Sequence, residues 1–570
     1  MLACDPPPYP AIEARMNDAR HWAVIETGAN QRYVFSSNRR RQNIGASELI
    51  RRLGEEWVPE SANRCGLTEE ELVISSSGRA LLLCTPDKAR AVIREVTMRA
   101  LQEAPGLQAW GTVCSVPVGE APAASLDRVY REHAAARSLI PGPEVRDARL
   151  PILAADSFYG QPVASVESRN GAIERFGRRA SSADAAALDA RRRLARRLDD
   201  ELRGSSEAGN AEIEHPASAA LLDEASLRRG EDVVDDGRVA VVHADGNGIG
   251  ALFMSLGSLP AEDFAPRTRD LSKALDAITW AALARAVDET HQALNPHLRE
   301  SEPSSVDATS AQVDAMPPRT VTGWILPVLV GGDDLTVIVA GRAAYRFTVA
   351  FLRAFEAAAA ANDTITGLLD DLRGTPGAPD RLTAAAGIAA VDSHHPFSHA
   401  YELSEELCNS AKRTVRALDK PRSALDVHVL FESSLRDLEQ IREHLVLKRG
   451  DTRRQLWSGA LVLADADAAE LPARTLTTSS LDAMVAAMTS QGKDSPAVLT
   501  SGAAHRVRSA LLEQPETLAR ELDAVIRNAL DGDAVAALLD ADGLRDPTKT
   551  DPVTLVTALD LVDLAEETIS

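Results

Sequence analysis

Two short acidic segments of the sequence have the residue types that hold metal ions beside a phosphate. HADGNGIG (243–250) places Asp245 at the end of an apolar run, and VGGDDLTVIV (330–339) places Asp333 and Asp334 between two apolar runs. Three carboxylates on one edge of a sheet repel one another in a partly dry site. Mg²⁺ or Mn²⁺ relieves that repulsion, since hard cations prefer oxygen ligands. We therefore expect Asp245, Asp333 and Asp334 to be catalytic carboxylates that hold two such ions for an in-line displacement.

The residues around these carboxylates suit a bound nucleotide. Glycines that follow a strand leave backbone N–H groups accessible to phosphate oxygens, and a Gly-Gly pair permits a tight turn with room above it. An amide side chain in the same segment can donate to a ribose or a phosphate, and a lysine at the end of a predicted helix can neutralise a triphosphate. The residues predicted to do so are Gly246, Asn247, Gly248, Gly250, Gly331, Gly332 and Lys412.

Each segment alone also has an ordinary structural explanation. Gly-Gly-Asp-Asp is a common hairpin sequence, and Asp-Gly-Asn-Gly is typical of loops. Lys412 at a helix end also suits the helix dipole, His394 and His395 are expected to be surface residues, and Cys408 is expected to be a buried apolar residue. The two acidic segments together, each beside apolar strands and separated by a long helix, favour the catalytic interpretation.

The elements that must position these residues alternate between strands and helices. Apolar runs and helical periodicity predict one order of elements around the two segments. This order is strand 239–248, helix 264–296, two strands within 323–341, helix 342–360, strand 382–391 and helix 397–416. The polar stretch 299–319 is predicted to be a loop or a disordered insertion.

The first part of the chain repeats the same order. It is predicted as strand 22–26, helix 44–53, a hairpin within 70–84, helix 87–103 and strand 108–118. Such an order is α+β and differs from a doubly wound parallel sheet, and its repetition predicts an internal duplication. The expected division is a flexible lead 1–20, a first copy 21–150, a connecting region 151–235, a second copy 236–432 and a helical C-terminal domain 433–570.

Composition disfavours several other classes of protein. The 570 residues carry a net charge of −22, which argues against binding of long nucleic acid by charge alone. Five scattered cysteines without a Cys-x-x-Cys pair argue against a structural zinc site and a disulfide framework. The sequence has no membrane-length apolar run. Prolines stand where a signal peptide needs apolar residues, so a cytoplasmic location is expected.

With these motifs the sequence resembles the large polymerase-cyclase subunit of type III CRISPR effector complexes and, more distantly, GGDEF diguanylate cyclases. The two acidic segments resemble the first metal strand and the Gly-Gly-Asp-Asp hairpin of that family. Three further segments carry the resemblance, namely RYVFSSNRRRQNIGASELI (32–50), LTAAAGIAAVDSHHPFSHAYELSEELCNSAKR (382–413) and PRSALDVHVL (421–430).

The resemblance implies a fold and an activity. It implies two ferredoxin-like palm domains, with the second one catalytic, and a reaction that converts ATP into cyclic oligoadenylate messengers in antiviral defence. It places Asp245, Gly246, Asp333 and Asp334 at the metal ions, and it places the backbone from Gly246 through Asn247, Gly248 and Ile249 to Gly250 along the triphosphate, with Lys412 near it. It also implies other CRISPR subunits and RNA as partners.

The first copy departs from the metal pattern. Glu26 stands where Asp245 does in the second copy, and Ser-Ser-Ser-Gly (75–78) stands where the Gly-Gly-Asp-Asp turn does. We therefore expect this copy to bind an acceptor nucleotide or to act as a scaffold. The sequence shows no HD nuclease motif, so a stand-alone or diverged relative remains open. So do a catalytically silent nucleotide-binding scaffold and a cyclic dinucleotide synthase of the diguanylate-cyclase type.

Overall fold

The first sheet has four antiparallel strands, with helices between them. The structure is a computed structural model. It describes residues 20–37, 40–117, 120, 122–140, 163–167, 178–204, 215–221, 237–296, 321–431, 437–449, 452–464, 471–472, 475–489, 497–513, 515–545 and 553–566. The predicted loop over 299–319 and the lead over 1–19 lie outside these residues.

The first copy begins with an apolar strand that becomes the interior of this sheet. Its elements are β1 (His21–Gly28), α1 (Asn30–Val34), α2 (Arg40–Arg52), a π-helical turn (Leu53–Trp57), α3 (Val58–Arg64), β2 (Leu72–Ser76), β3 (Arg79–Cys84), α4 (Pro86–Glu103) and β4 (Gln108–Ser115). The strand order is β2-β3-β1-β4. Ala23 and Ile25 pack under α2 and α4, whereas Trp22 and Val24 face the opposite side of the sheet, as the two-residue period of a strand requires.

The segment after β4, which includes the end of the predicted first copy and the connecting region, packs against the first sheet. It contains α5 (Pro122–Ser138), the antiparallel pair β5 (Val163–Glu167) and β6 (Arg178–Ser181), and α6 (Ser182–Gly204). Trp22 Nε1 donates to Ser125 Oγ of α5 at 2.9 Å. Ala183 and Ala186 of α6 belong to the same apolar core as Ala46 of α2. Two helices of this region therefore add to the core of the first copy.

The second copy repeats the strand order of the first. Its elements are β7 (Arg238–Asn247), α7 (Ile249–Ser255), α8 (Ala261–Leu294), β8 (Ile325–Gly331), β9 (Asp334–Ala340), α9 (Gly341–Ala361), α10 (Asp363–Asp371), β10 (Thr383–Asp392), α11 (Phe397–Arg416) and β11 (Ala424–Val429). The order β8-β9-β7-β10 corresponds strand for strand to β2-β3-β1-β4. The predicted duplication is thus confirmed as two ferredoxin-like sheets, and β11 adds a parallel strand beyond β10.

The two faces of the second sheet have different partners. Ala240 and Val242 of β7 pack in the core that contains residues of α8 and α9. Val239 and Val241 pack on the opposite face in a core that contains residues of α11, and this core also includes Ile44 of α2 from the first copy. The two copies therefore share apolar cores. Arg269 of α8 also donates to the carbonyl of Leu72 in β2 at 3.1 Å.

The C-terminal part is mostly helical, as predicted, but it also contains short strands. It comprises α12 (Leu438–His444), β12 (Val446–Arg449), β13 (Thr452–Gln455), β14 (Leu461–Val462), α13 (Thr478–Met488), α14 (Ser501–Leu511), α15 (Pro515–Asn528), α16 (Gly532–Ala541) and α17 (Thr554–Glu566). β14 pairs with β11 and extends the second sheet. Tyr345 Oη of α9 donates to the carbonyl of Thr478 at 3.3 Å. None of the helices in the described ranges combines the length and apolar character needed to cross a membrane.

Candidate active site

The interior strand of the second sheet presents two polar side chains on one face. Alternate residues of a strand share a face, so His243 and Asp245 point to the same side of β7, while Ala244 is buried in the core on the other side. The register pairs Ala244 with Leu335. Asp245 therefore lies opposite Asp334, the residue before Leu335.

The Gly-Gly-Asp-Asp segment forms a hairpin with a two-residue loop. Gly331 pairs with Asp334 across the turn, so Gly332 and Asp333 are the loop residues. Gly332 has a φ of 60°, in the left-handed region that glycine adopts without a steric penalty and that tight hairpin turns require. The hairpin between β8 and β9 thus projects Asp333 and Asp334 from the sheet edge beside β7.

The three predicted carboxylates come together at this edge. Oxygens of Asp245 and Asp334 and a ring nitrogen of His243 lie within 4.8 Å of one another. Asp245 is close enough to share a hydrogen bond with Asp333. A Cβ at Gly246 would lie 3.0 Å from Cβ of Asp333, so only a glycine allows the hairpin to approach the strand this closely. The structure therefore brings together the acidic residues that the sequence indicated.

Burial and mutual proximity raise the pKa values of Asp333 and Asp334, two carboxylates of the cluster. Burial raises the pKa of Asp334 to about 8, and the charges of Asp333 and Asp245 add to this effect. Burial, and then the charge of Asp245, raise the pKa of Asp333 to about 6. The donor set consists of carboxylate oxygens whose mutual repulsion a divalent cation relieves, so Mg²⁺ or Mn²⁺ fits these residues.

Helix α11 supplies the positive charge of the site. Lys412 Nζ forms an ion pair with Asp245 Oδ2, and both side chains are largely shielded from solvent. Glu405, seven residues earlier on the same helix, adds negative charge near Asp334. Residues spaced by seven lie on one face of a helix. The face of α11 toward the sheet therefore carries one cation and a further carboxylate.

The predicted phosphate-binding residues fall into two groups. A Cβ at Gly248, Gly250 or Gly332 would have no atom within 4 Å, so there is open space above the backbone at these three positions. The Asn247 side chain is instead already engaged, because its Nδ2 donates to Thr383 Oγ1 at 3.0 Å. The Ile249 side chain is buried in the core, which leaves only its backbone for a ligand. The nucleotide-binding role of all these residues stays a prediction.

His243 is a site residue that the sequence reasoning did not single out. Its Nδ1 lies 3.1 Å from Thr336 Oγ1, and its ring packs edge-on against Tyr401 of α11 with the centroids 5.6 Å apart. Burial lowers its pKa to about 4, so the imidazole is neutral at pH 7. The available signal was the two-residue spacing to Asp245 on a strand, which places both side chains on one face.

The corresponding position of the first copy has a different character. Glu26 lies opposite Arg79 in the register of β1 and β3, and its Oε1 forms an ion pair with Arg79 Nε at 2.9 Å. His133 Nε2 of α5 is 3.4 Å from the other carboxylate oxygen. Within the described ranges, the cluster of the second copy is the one group of three residues suited to a metal ion.

The hairpins of the two copies meet. A Cβ at Gly331 would lie 3.5 Å from Cβ of Ser77, so the Ser-rich turn touches the acidic turn. The copies are also joined behind the site, because Gln31 Nε2 of α1 donates to Glu405 of α11 at 3.0 Å and the rings of Phe35 and Phe397 are 5.3 Å apart. The acidic cluster therefore lies on the side of the second sheet that faces the first copy.

An antiparallel sheet of this order, with carboxylates on its first strand and on the adjacent hairpin, defines a palm domain. Residues 238–419 match the family described as "Cas10/Cmr2, second palm domain". This match covers about a third of the chain and shows that the second copy is similar to the palm domain of that family. The family resemblance predicted from the sequence is thereby confirmed for the second copy.

Solved structures share the fold over nearly the whole chain. The crystal structures of a Csm1–Csm4 cassette in complex with cA4 and in complex with pppApA each match with a TM-score of 0.50 and 14% identity, over 97% of this chain and 71% of the other. At this identity the likeness shows the fold, which is the α+β palm architecture with additional helices. No curated protein matches the chain.

Proposed function

We propose that this protein is a metal-dependent nucleotidyltransferase that makes cyclic oligoadenylate messengers from ATP in antiviral defence. The observation that carries the proposal is the cluster of Asp245, Asp333 and Asp334, whose charges are offset, among the residues that the structure describes, by the ion-paired Lys412. Such an arrangement is unfavourable by itself and suits a site that binds divalent cations with a triphosphate.

In the proposed reaction a ribose hydroxyl attacks the α-phosphorus of ATP. The new bond joins the hydroxyl oxygen to phosphorus, the bond to the β-phosphate breaks, pyrophosphate leaves and the hydroxyl proton goes to solvent. Two Mg²⁺ or Mn²⁺ ions, when bound, lower the pKa of the attacking hydroxyl and stabilise charge on both oxygens of the displacement. Asp245, Asp333 and Asp334 would hold these ions, with the Gly246 backbone beside them.

The remaining site residues have binding roles in this proposal. Backbone N–H groups at Gly248 and Gly250, where space is open, would face phosphate oxygens. The ammonium group of Lys412, which pairs with Asp245, would also interact with the triphosphate. The Ser-rich hairpin of the first copy, which touches Gly331, would form the opposite wall and contact the acceptor nucleotide.

The likeness to solved structures supports the choice of substrate and partners. The matching Csm1 structures are in a cassette with Csm4 and hold cA4 or pppApA. By analogy, we propose adenine nucleotides as substrates and other subunits of a CRISPR effector as partners in the cytoplasm. Foreign RNA would then be the activator.

The test is the product formed from a mixed pool of ATP, GTP, CTP and UTP with Mg²⁺ or Mn²⁺, with and without partner subunits. We expect oligoadenylates by mass spectrometry, and we expect the double variant Asp333→Ala and Asp334→Ala to lose them. The matched control is the double variant Asp370→Ala and Asp371→Ala, an exposed Asp-Asp pair at the end of α10, which should retain the adenine-containing products. Unchanged product from the Asp333 and Asp334 variant would refute the proposal.

Two other functions give different results in the same experiment. The ion-paired Glu26 and Arg79 of the first copy favour a second candidate, a nucleotide-binding scaffold without turnover. That function predicts bound nucleotide with no pyrophosphate released. A cyclic dinucleotide synthase of the diguanylate-cyclase type predicts a product with the mass of a cyclic dinucleotide.

A further inference from the structure

Helix α8 contacts the loop of the acidic hairpin with two side chains that are one turn apart. Thr279 Oγ1 donates a hydrogen bond of 2.6 Å to the carbonyl oxygen of Gly332. The carboxylate of Asp276 accepts from the backbone N–H of the same glycine. The two side chains therefore engage both polar backbone groups of the residue that immediately precedes Asp333.

This contact fixes the part of the hairpin that is otherwise least constrained. Gly332 has no side chain, has a φ of 60°, and a Cβ there would meet no atom within 4 Å. A glycine in a two-residue loop loses the most conformational freedom when it is ordered. Thr279, in contrast, is fully buried on a long helix. Its hydroxyl thus ties the turn to a buried position of helix α8.

The connecting helix α6 holds Asp276 in turn. Arg197 Nη2 of α6 lies 3.6 Å from Asp276 Oδ2, and the Arg197 guanidinium stacks on the ring of Trp280 at 5.1 Å. Burial raises the pKa of Asp276, and the charge of Arg197 acts in the opposite direction. The position of Gly332 is thereby linked to α6 as well as to α8.

We propose that Thr279 and Asp276 are positioning residues that set the placement of Asp333 and Asp334 by holding Gly332 against α8. This inference rests on the proposed function, because it assigns these residues to the same acidic site. Neither side chain touches the reacting atoms in this proposal. Displacements of about 1 Å in a catalytic group are enough to reduce rates by about 100-fold.

The experiment replaces Thr279 by valine, which keeps the shape and removes the hydroxyl, and by serine, which keeps the hydroxyl. The matched control is Thr268→Val on the same helix, because Thr268 is also buried and its Oγ1 also donates to a carbonyl at 2.6 Å, but to Phe264 within the helix. The readouts are kcat and KM for product formation, Mn²⁺ affinity by calorimetry without nucleotide, and the midpoint of thermal unfolding.

We expect Thr279→Val to lower kcat and to weaken Mn²⁺ binding, each by about 10- to 100-fold, the range typical of residues that orient metal ligands. The KM for ATP should change less than kcat. Thr279→Ser should restore both values, and Thr268→Val should lower the unfolding midpoint without weakening Mn²⁺ binding. Equal effects of Thr279→Val and Thr268→Val, or an unchanged Mn²⁺ affinity in Thr279→Val, would overturn the inference.

Variants of Asp276 test the same inference if the Thr279→Val protein does not fold. Asp276→Asn keeps an oxygen that accepts from Gly332, whereas Asp276→Ala removes it, so only Asp276→Ala should weaken Mn²⁺ binding. The Mn²⁺ measurement does not need turnover. A wild-type protein without product would therefore argue against the proposed function, while the binding data would still decide the positioning role.

Discussion

The two palm copies have the same strand order and opposite charge balance at the equivalent place. In the first copy, Glu26 lies between the guanidinium of Arg79 and the imidazole of His133. In the second copy, three carboxylates share the single ammonium group of Lys412. A fold tolerates a balanced pair at little cost, whereas clustered carboxylates raise one another's pKa. The difference supports the proposal that the second copy binds cations.

The hairpins differ in the same way. In the first copy, Gly78 N donates to the carbonyl of Ile50 at 3.0 Å and the Gly78 carbonyl accepts from Thr27 N at 2.8 Å, so the turn is tied into its own domain. In the second copy, the loop residue Gly332 is held by Thr279 and Asp276 of α8, and the space above its Cα is open. One hairpin is thus closed by its own backbone, and the other leaves space for a ligand.

Exchanging the acidic residue of each central strand for alanine gives the sharpest contrast between the copies. Asp245→Ala should lower the rate of product formation by about 100- to 10,000-fold, because a metal ligand contributes several kcal/mol to transition-state stabilisation. Glu26→Ala should change the rate by less than about threefold, since its carboxylate is paired with Arg79. Initial rates of pyrophosphate release measure both.

Equal loss in the two variants would contradict the assignment of catalysis to the second copy. Thermal unfolding of both proteins serves as the control, because a misfolded Glu26→Ala protein would also lose activity. Bound Mn²⁺ per chain gives an independent comparison, and only Asp245→Ala should reduce it.

The basic partners of these carboxylates should show a smaller contrast. Lys412→Met should reduce the rate by about 100-fold, because it removes a cation from a site where negative charge develops. Arg79→Met should leave the rate nearly unchanged. It should also cost less than about 1 kcal/mol of stability, since this pair is partly exposed to water. If Arg79→Met proves as inactive as Lys412→Met, the two cations have equivalent roles and the comparison fails.

The smallest expected effect is a pH dependence of stability in the metal-free protein. The folded-state pKa values of Asp333 and Asp334 are raised to about 6 and about 8. A carboxyl whose pKa is raised by folding stabilises the fold when protonated, and this stabilisation is lost as the pH rises through the folded-state pKa. The midpoint temperature of thermal unfolding should therefore decrease as the pH is raised from 5 to 8.5.

The double variant Asp333→Asn and Asp334→Asn isolates this effect from other groups that titrate. For a chain of 570 residues, the wild-type midpoint should fall by about 1 °C more than that of the variant for each kcal/mol lost. Mg²⁺ should restore more stability at pH 8 than at pH 5. If the unfolding midpoint changes equally with pH in both proteins, the carboxylates of the cluster do not destabilise the fold.

The sequence predicted the local elements and the identity of the acidic residues well. The apolar runs around Asp245 and around the Gly-Gly-Asp-Asp turn specify buried strands, and helix 397–416 was predicted with the bounds it has in the structure. These features depend on residues that are close in sequence. The two-residue period of β7 also predicts that His243 lies on the same face as Asp245, although the sequence motif identified only Asp245 as a site residue.

Long-range contacts could not be predicted in this way. The hydrogen bond from Thr279 to Gly332 spans 53 residues, and nothing in the local sequence distinguishes this threonine from Thr268. The pairing of β14 with β11 involves two residues, too few to produce a periodic signal. Contacts of this kind are set by how elements pack, and a single sequence does not display that. The domain boundaries stay predictions for the same reason.

The second sheet is completed from far along the chain, and this has a consequence for biosynthesis. β14 pairs with β11 at the edge of the sheet, and Leu564 of α17 belongs to the same core as Phe347 of α9. Nascent domains fold as they leave the ribosome, from the N-terminal end. The first sheet therefore emerges early, whereas the core of the second copy can be completed only when residues near 564 emerge. A chain stalled before residue 564 would carry the acidic residues of the second copy without helix α17, which packs in the core of that copy.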